Sequence, residues 1–428
     1  HTKDNGSYHP DSNSIFIKEN ILIPVQEAKA IINKHIFQLD SETILLSDSS
    51  GRVIDHDVIA TFPSPRFDNS AMDGFAIRSI DTKGASQENP VLLRNIDSSM
   101  AGSPSSLHLK PGECIQCMTG AKIPSGADAV IMVEQTSGFS DNELIKVMAD
   151  VSLGKNIRLE GEEIKNGDIL IRERTRITAS ELSVCAAFGY GQVKVIKQPK
   201  VAIFATGNEL IEPGKELKEG KIYNSNLYMF SELVQKSGGK VIMQNVVKDD
   251  KKALHSFLSE ALDNCDLIIS SGGVSMGRYD YVRDVFMDLG VKEHFWKVAQ
   301  KPGKPLFFGS EKNKLVFGLP GNPISSYIGF MEWVWPVIGQ MMGYFEDPYI
   351  AGILKKPFQR DKIKFRYLFG NAWTDKGKIL CEPSTKVGSH MLTSALGANC
   401  ILGANPGTEY LIEGDPIQVN LLPWADLK

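Results

Sequence analysis

The spacing of apolar and polar positions changes several times along this chain. Residues 24–39, PVQEAKAIINKHIFQL, place apolar side chains at Val25, Ala28, Ile32 and Ile36, the spacing of one buried helix face. Pro24 stands at the favoured first-turn position, so an amphipathic helix is expected. From about 41 to 160 the pattern shortens to β-rich pieces, GFAI, VLLR, ECIQCM and DAVIMVE, separated by Gly, Pro, Asp and Ser clusters. That predicts a compact, mainly β domain. GDILIRERTRITASELSVCAAFG then reads as a strand followed by a helix, with Thr178 and Glu181 forming a capping box and Gly189 closing the end.

From 199 the pattern becomes strand, glycine loop, helix. KVAIFATGNEL leads to SNLYMFSELVQKSGG, DLIISSGGVSMG to RYDYVRDVFMDLG, and LVFGLPGNP to ISSYIGFMEWVWPVIGQMM. Such alternation specifies a doubly wound, mostly parallel α/β sheet. The last of these stretches is interrupted by Glu332 and Pro336 and falls short of the roughly 18 uninterrupted apolar residues of a membrane span. A buried helix is expected instead. From about 348 onward KIKFRYLFG, EYLIEG and PIQVNLL alternate again and predict a second small β domain.

At 428 residues the chain exceeds one hydrophobic core, and a typical domain of roughly 150 residues suggests about three domains. A net charge of −4 leaves no basic footprint, which argues against a dedicated nucleic-acid binder. Six cysteines do not make a disulfide framework, and the polar start HTKDNGSYHP shows no secretory segment, so a reducing, cytoplasmic setting is expected. Cys114 and Cys117 form a lone CxxC; three apart in a strand, they point to opposite faces and read as buried structural thiols. The eight histidines show no ligand spacing.

In an open α/β sheet ligands bind beyond the carboxyl ends of the strands, where glycine lets backbone N–H groups approach an anion. Three such loops occur: Thr206-Gly207-Asn208-Glu209, Ser271-Gly272-Gly273-Val274-Ser275-Met276-Gly277, and Gly318-Leu319-Pro320-Gly321-Asn322-Pro323. None matches GxxxxGK[ST] or GxGxxG, which disfavours an ordinary P-loop NTPase or Rossmann dehydrogenase. Three in one sheet point to a phosphate-bearing ligand.

Lys301-Pro302-Gly303-Lys304 has the residues of a type II turn, which would hold two lysine Cα atoms within about 7 Å and close both ammonium groups on one anion. Lys297, in the strand FWKVA, could join them. Asn322 suits a helix N-cap and Pro323 the first helical position, leaving the Ser325 and Ser326 N–H groups unpaired as an anion cradle. Glu209, Asp249, Asp250 and Asp280 accompany these bases. Carboxylates beside a phosphate cradle suit Mg²⁺, while Asp249 and Asp250 equally suit a helix cap and Asp280 a helix dipole. Far upstream, Asp68, Asn69, Ser70 and Asp73 crowd into DNSAMDG with only Arg66 nearby, more acid than a turn needs.

DNSAMDGFA, MTGAKIPSGADAVIMVE, NIRLEGEEIKNGD, ATGNEL, SSGGVSMGRYDYV, KPGKPLFFG and GLPGNPIS, in this order from roughly residue 14 to the C-terminus, resemble the MoeA-type molybdopterin molybdenumtransferases, the family that includes the gephyrin E domain. The resemblance implies a linker domain in two parts (14–40 and 161–197), an inserted β domain (41–160), an α/β molybdopterin-binding domain (198–347) and a C-terminal β domain (348–428). It implies a homodimer whose cleft lies between the α/β domain of one subunit and the inserted β domain of the other. The implied reaction is Mg²⁺-dependent insertion of molybdate into adenylylated molybdopterin, with cleavage of the adenylate and release of AMP.

On that resemblance Asp73, Glu209 and one of Asp249 or Asp250 handle Mg²⁺ and the attacking group, and Lys297, Lys301 and Lys304 hold phosphate charge. Asp280 recognises the pterin, Thr119 and Arg158 contribute from the β domain, and Gly272, Gly273, Ser275, Pro320 and Pro323 line the substrate. Ser325, Arg366 and Ser389 help hold molybdate beside Lys304 and Pro305. Glu163 stands where bacterial relatives often have Asp. No fused adenylyltransferase domain is visible, so a separate partner enzyme is expected to supply the substrate. Two alternatives compete: a non-catalytic scaffold of the gephyrin kind, which has no need of all these charged residues together, and a molybdopterin adenylyltransferase, which has no need of two β domains.

Overall fold

A computed structural model of the chain describes residues 22–140, 143–273, 281–345, 347–388 and 390–427. These fall into two compact units, one made of 45–50 and 56–193, the other of the N-terminal residues, 51–55 and 194 to the C-terminus.

In the first unit a five-stranded sheet takes the order Ala129–Met132, Gly74–Ile77, Glu113–Cys117, Val91–Ser99, Leu144–Val147. All its pairings are antiparallel except that between Val91–Ser99 and Glu113–Cys117. One face packs Phe75, Ile77, Leu93, Cys114, Ile131 and Ile145, while Cys117 packs with Ala76 and Ala121. The two thiols therefore face different clusters, as their spacing requires. Burial pushes Cys114 up to about 12 and Cys117 up to about 11. All six cysteines are free. The expected capping box is present: Thr178 opens the helix Ala179–Ala187, its side chain bonded to the first-turn backbone and to Glu181.

The second unit begins with the helix Val25–Asn33, which buries Val25, Ala28 and Ile32. It is shorter than its apolar spacing suggests, and Pro24 is its cap rather than its first residue. The His35 ring nitrogen Nδ1 pairs with the Ile31 carbonyl at 2.8 Å, occupying a last-turn acceptor. A six-stranded sheet follows, in the order Lys240–Val247, Lys200–Thr206, Leu267–Ser271, Lys314–Leu319, Pro305–Glu311, Lys292–Lys297. The first four strands are parallel and the last two antiparallel.

Apolar runs such as VAIFA are continuous because both faces of the sheet are covered. Val201, Ile203, Ile269 and Phe317 pack on one side with the helix Asn226–Lys236 and the apolar C-terminal helix. Ala202, Phe204, Ile268 and Val316 pack on the other with Lys251–Asn264 and Tyr281–Asp288. That apolar helix is buried, as expected, and among the described residues no helix is long and apolar enough to cross a membrane. It runs as Pro323–Gly329, a π turn over Phe330–Val334, and Trp335–Met341, the π turn standing immediately before Pro336. Glu332, 2% exposed, accepts from the Tyr349 hydroxyl at 2.5 Å and the Asn420 amide at 2.9 Å, and Lys29 lies 3.7 Å away. Its buried charge is thereby paired.

The C-terminal strands Phe365–Asp375, Lys378–Pro383, Tyr349–Leu354, Pro416–Leu421 and Cys400–Ala404 pair in that order, and the first also pairs with the last. They close a small barrel. The two-residue strand Gln300–Lys301 lies parallel to its edge, with Gln300 opposite Phe365 and Lys301 opposite Arg366.

Candidate active site

Strand register decides where the chemistry gathers. Ala205 stands opposite Ser271, and Ser271 opposite Leu319, so the three parallel strands end at one edge of the sheet. Pro305 begins the neighbouring antiparallel strand at that same edge, opposite Lys297. Described residues of all three glycine loops, together with the Lys301–Gly303 turn, consequently line one cleft of about 930 Å³. Asn226 ties two of the loops together: its Nδ2 donates to Ser271 Oγ at 2.7 Å and to the Gly321 carbonyl at 2.8 Å. At Gly273 φ is +73°, and a Cβ there would run into Val282 and stand 3.0 Å from Thr206 Oγ1. Only glycine fits that close approach.

Of the acids, Glu209 and Asp249 line the cleft. Burial first, and then the Glu209 charge, raise Asp249 above the usual carboxylate range. Two carboxylates in mutual repulsion beside a cleft lined by glycine loops fit a divalent cation, because Mg²⁺ takes one or two protein carboxylates and completes its shell from water and substrate phosphate. Among the described residues no group of three or more His, Cys, Asp or Glu is arranged to hold a metal. Asp250 is placed elsewhere: its Oδ1 accepts from the Ala253 N–H at 2.9 Å and caps Lys251–Asn264. The capping alternative describes Asp250, and the cleft alternative Asp249.

Among the bases, Lys301 lines the cleft and lies 3.4 Å from Asp361. Lys297 is 5% exposed with its ammonium 4.2 Å from the Trp296 ring, and Lys304 is exposed; neither lines the cleft. Gly303 takes the positive φ that the third position of a type II turn requires. The Lys301–Pro302 peptide is cis, and Gly303, at φ +83°, has its carbonyl taken by the Gln300 side chain at 2.8 Å.

Arg366 and Ser325, 7% and 4% exposed, line the same cleft, as do Gly272, Pro305, Pro320 and Pro323. Arg366 Nε is buried with no hydrogen-bond partner, and burial pushes the guanidinium below its ordinary value against the pull of Asp361. The cradle proposed for Ser325 and Ser326 is smaller than expected. The Ser326 N–H closes the first helical turn on the Asn322 carbonyl at 3.0 Å, and its hydroxyl donates to the Pro320 carbonyl. Asn322 is the N-cap and Pro323 the first helical residue. Ser275, Asp280 and Ser389 lie outside the described residues.

In the other unit the acids of DNSAMDG are bonded by residues distant in sequence. Asp68 Oδ1 accepts the Glu160 N–H at 2.7 Å, and Asn69 sits opposite Arg158 in a short antiparallel pair. Asp73 Oδ1 accepts both the backbone N–H and the hydroxyl of Thr119 at 2.7 Å, which hold its carboxyl below the usual range. Its carboxylate, Thr119 and Arg158 are all exposed. Glu163 accepts from the Ser64 hydroxyl at 2.9 Å.

Asn226 and Asp361 escaped the sequence reading. Asn226 opens its helix, where Asn224 Oδ1 accepts the Leu227 N–H at 3.3 Å, and nothing in the spacing ties Asp361 to Lys301.

Comparison with known proteins gives matches from residue 23 to residue 422. Residues 23–189 match the MoeA N-terminal region (domain I and II), 202–340 a probable molybdopterin binding domain, and 351–422 the MoeA C-terminal region (domain IV). A molybdopterin molybdenumtransferase of Staphylococcus aureus strain Mu50 is 35% identical over 401 residues, covering 93% of this chain and 95% of its own. One from Staphylococcus epidermidis is 36% identical over 408 residues, covering 95% and 97%. The crystal structure of a molybdopterin biosynthesis moeA protein from Pyrococcus horikoshii OT3 superposes with a TM-score of 0.79 at 30% identity, covering 94% of this chain and all of that one. The chain belongs to the MoeA-type molybdopterin molybdenumtransferases, enzymes of molybdenum cofactor biosynthesis.

Proposed function

We propose that the chain acts in the cytoplasm on adenylylated molybdopterin, placing molybdate on its dithiolene while the adenylate is cleaved and AMP released. The observation that carries this reading is the polarity of the cleft: Glu209 and Asp249 stand among the glycine loops that Arg366, Ser325 and Lys301 share. An acid pair suits a cation between phosphates, and buried or clustered cations suit an oxyanion.

Glu209 and Asp249 would hold Mg²⁺, which supplies charge neutralisation to the phosphates when bound. The glycine loops admit the diphosphate close to backbone. Lys301 holds the charge of the phosphate and of the neighbouring oxyanion, in ground state and transition state alike, while the P–O bond of the leaving phosphate breaks and an oxygen nucleophile bonds to phosphorus. Arg366 and Ser325 orient molybdate, with Pro305 beside it. Asp73, held by Thr119 on an exposed surface, directs the attacking group from a second subunit, with Arg158 near the adenylate. The protein works as a homodimer, and a separate adenylyltransferase supplies the substrate.

Purified chain incubated with adenylylated molybdopterin, Mg²⁺ and molybdate should release AMP in step with molybdenum bound to the pterin. Absence of AMP release under all combinations sinks the reading. Mixing Asp73→Ala and Lys301→Ala chains should restore part of the activity in hybrid dimers, and a fully active monomer by light scattering would refute the shared site.

A further inference from the structure

We infer that Gln300 and Trp333 act as a positioning pair that fixes the Lys301–Gly303 turn for oxyanion binding, an inference that rests on the proposed molybdate site. Gln300 is 1% exposed and touches the cleft only through the turn it precedes. Its carboxamide is engaged at both ends. The Trp333 indole Nε1–H donates to Oε1 at 2.9 Å, and Nε2 donates to the Gly303 carbonyl at 2.8 Å. Indole is a donor only and a carbonyl an acceptor only, so the amide has a single orientation.

The pair reaches the site by direct contact. Gly303 Cα is so close to both partners that a Cβ there would stand 3.0 Å from Gln300 Nε2 and 3.6 Å from the Ser325 carbonyl. The Val298 N–H bonds to the Lys304 carbonyl at 3.1 Å and closes the loop, while the pairing of Lys301 with Arg366 sets the turn beside the buried guanidinium. Trp333, 1% exposed, lies in the π turn of the apolar helix, so the anion end of the cleft is braced against the core of the sheet. An unpaired Gly303 carbonyl would let the turn relax, moving Lys301 relative to Ser325 and Arg366. A dislodged cation weakens binding of the anion in ground state and transition state alike, so the effect falls on KM.

The test compares wild type with Gln300→Met, which keeps the volume and loses both bonds, with Trp333→Phe, and with the double variant. The KM for molybdate should rise about tenfold in each single variant with kcat within about twofold, and the double variant should match the worse single one because the bonds act in series. An unchanged KM, or additive losses confined to melting temperature, would reduce the pair to core packing. Hydrogen exchange of the peptide spanning Ala299–Lys304 reads the same claim without catalysis: faster exchange in both variants supports it and unchanged exchange overturns it. If wild type releases no AMP, the proposed function fails while the exchange result still decides the positioning role.

Discussion

Replacing Arg366 by Met separates binding from stability. The guanidinium is 7% exposed, lines the cleft and has a buried Nε without a partner. A hydrogen bond to a charged group contributes about 1.5–3 kcal/mol, and each 1.4 kcal/mol is tenfold in affinity, so Arg366→Met should weaken molybdate binding by about ten- to a hundredfold. Stability should move the other way. A buried polar atom without a partner costs about 1–3 kcal/mol, and methionine fills similar space with no such atom. Asp361 is not stranded by the change, since it keeps Lys301 at 3.4 Å and the Ile363 and Lys364 N–H groups at 3.2 Å. A net gain of about 1 kcal/mol would raise the melting temperature by about 2–4 °C in a unit of this size. Calorimetric titration with molybdate and a thermal scan of the same samples measure both. Unchanged affinity together with a melting temperature several degrees lower would show that Arg366 is a structural residue and refute the argument.

Asp73→Asn keeps the shape of the side chain and removes its charge, so single-turnover AMP release should slow on the order of a hundredfold with melting unchanged, whereas Asp68→Asn should release AMP at a near-normal rate. Near-normal release from Asp73→Asn would remove that residue from the mechanism. Asp249→Asn should raise the Mg²⁺ concentration needed for half-maximal activity, while Asp250→Ala should instead lower the melting temperature through a lost cap of about 1 kcal/mol; the reverse pattern would exchange their roles. Burial, then the charges of His35 and Lys292, lower His294 from 6.5 to about 4, its ring 3.7 Å from that of His35. The unfolded chain then takes up a proton that the folded chain refuses, so stability present above pH 6.5 is lost as pH falls toward 4. His294→Phe should flatten that acid limb by on the order of 1 kcal/mol in denaturant titrations, and an unchanged limb would assign acid sensitivity to other groups.

Much of this protein is written locally. Continuous apolar runs with glycine at their ends specify buried parallel strands because only a doubly covered sheet buries both faces of VAIFA and LIIS. Thr178 and Glu181 cap their helix through bonds spanning three residues, and Cys114 and Cys117 face opposite ways because a strand alternates. These outcomes need no distant partner. The site needs many. Asp249 and Asp250 are neighbours with the same chemistry, and only the start of Lys251–Asn264 turns one into a cap and leaves the other on the cleft. KPGK has the residues of a turn, but only the pairing of Lys301 with Arg366, far along the chain, sets that turn beside the buried guanidinium. Arg366 is singled out in the sequence only by the family resemblance, and its burial beside Lys301 exists only once the barrel closes. Spacing along the chain decides which side chains share a face of one element. Which faces meet is decided by register between elements far apart in sequence, and the burial, orphaned atoms and shifted charges of the cleft exist only once those elements have met.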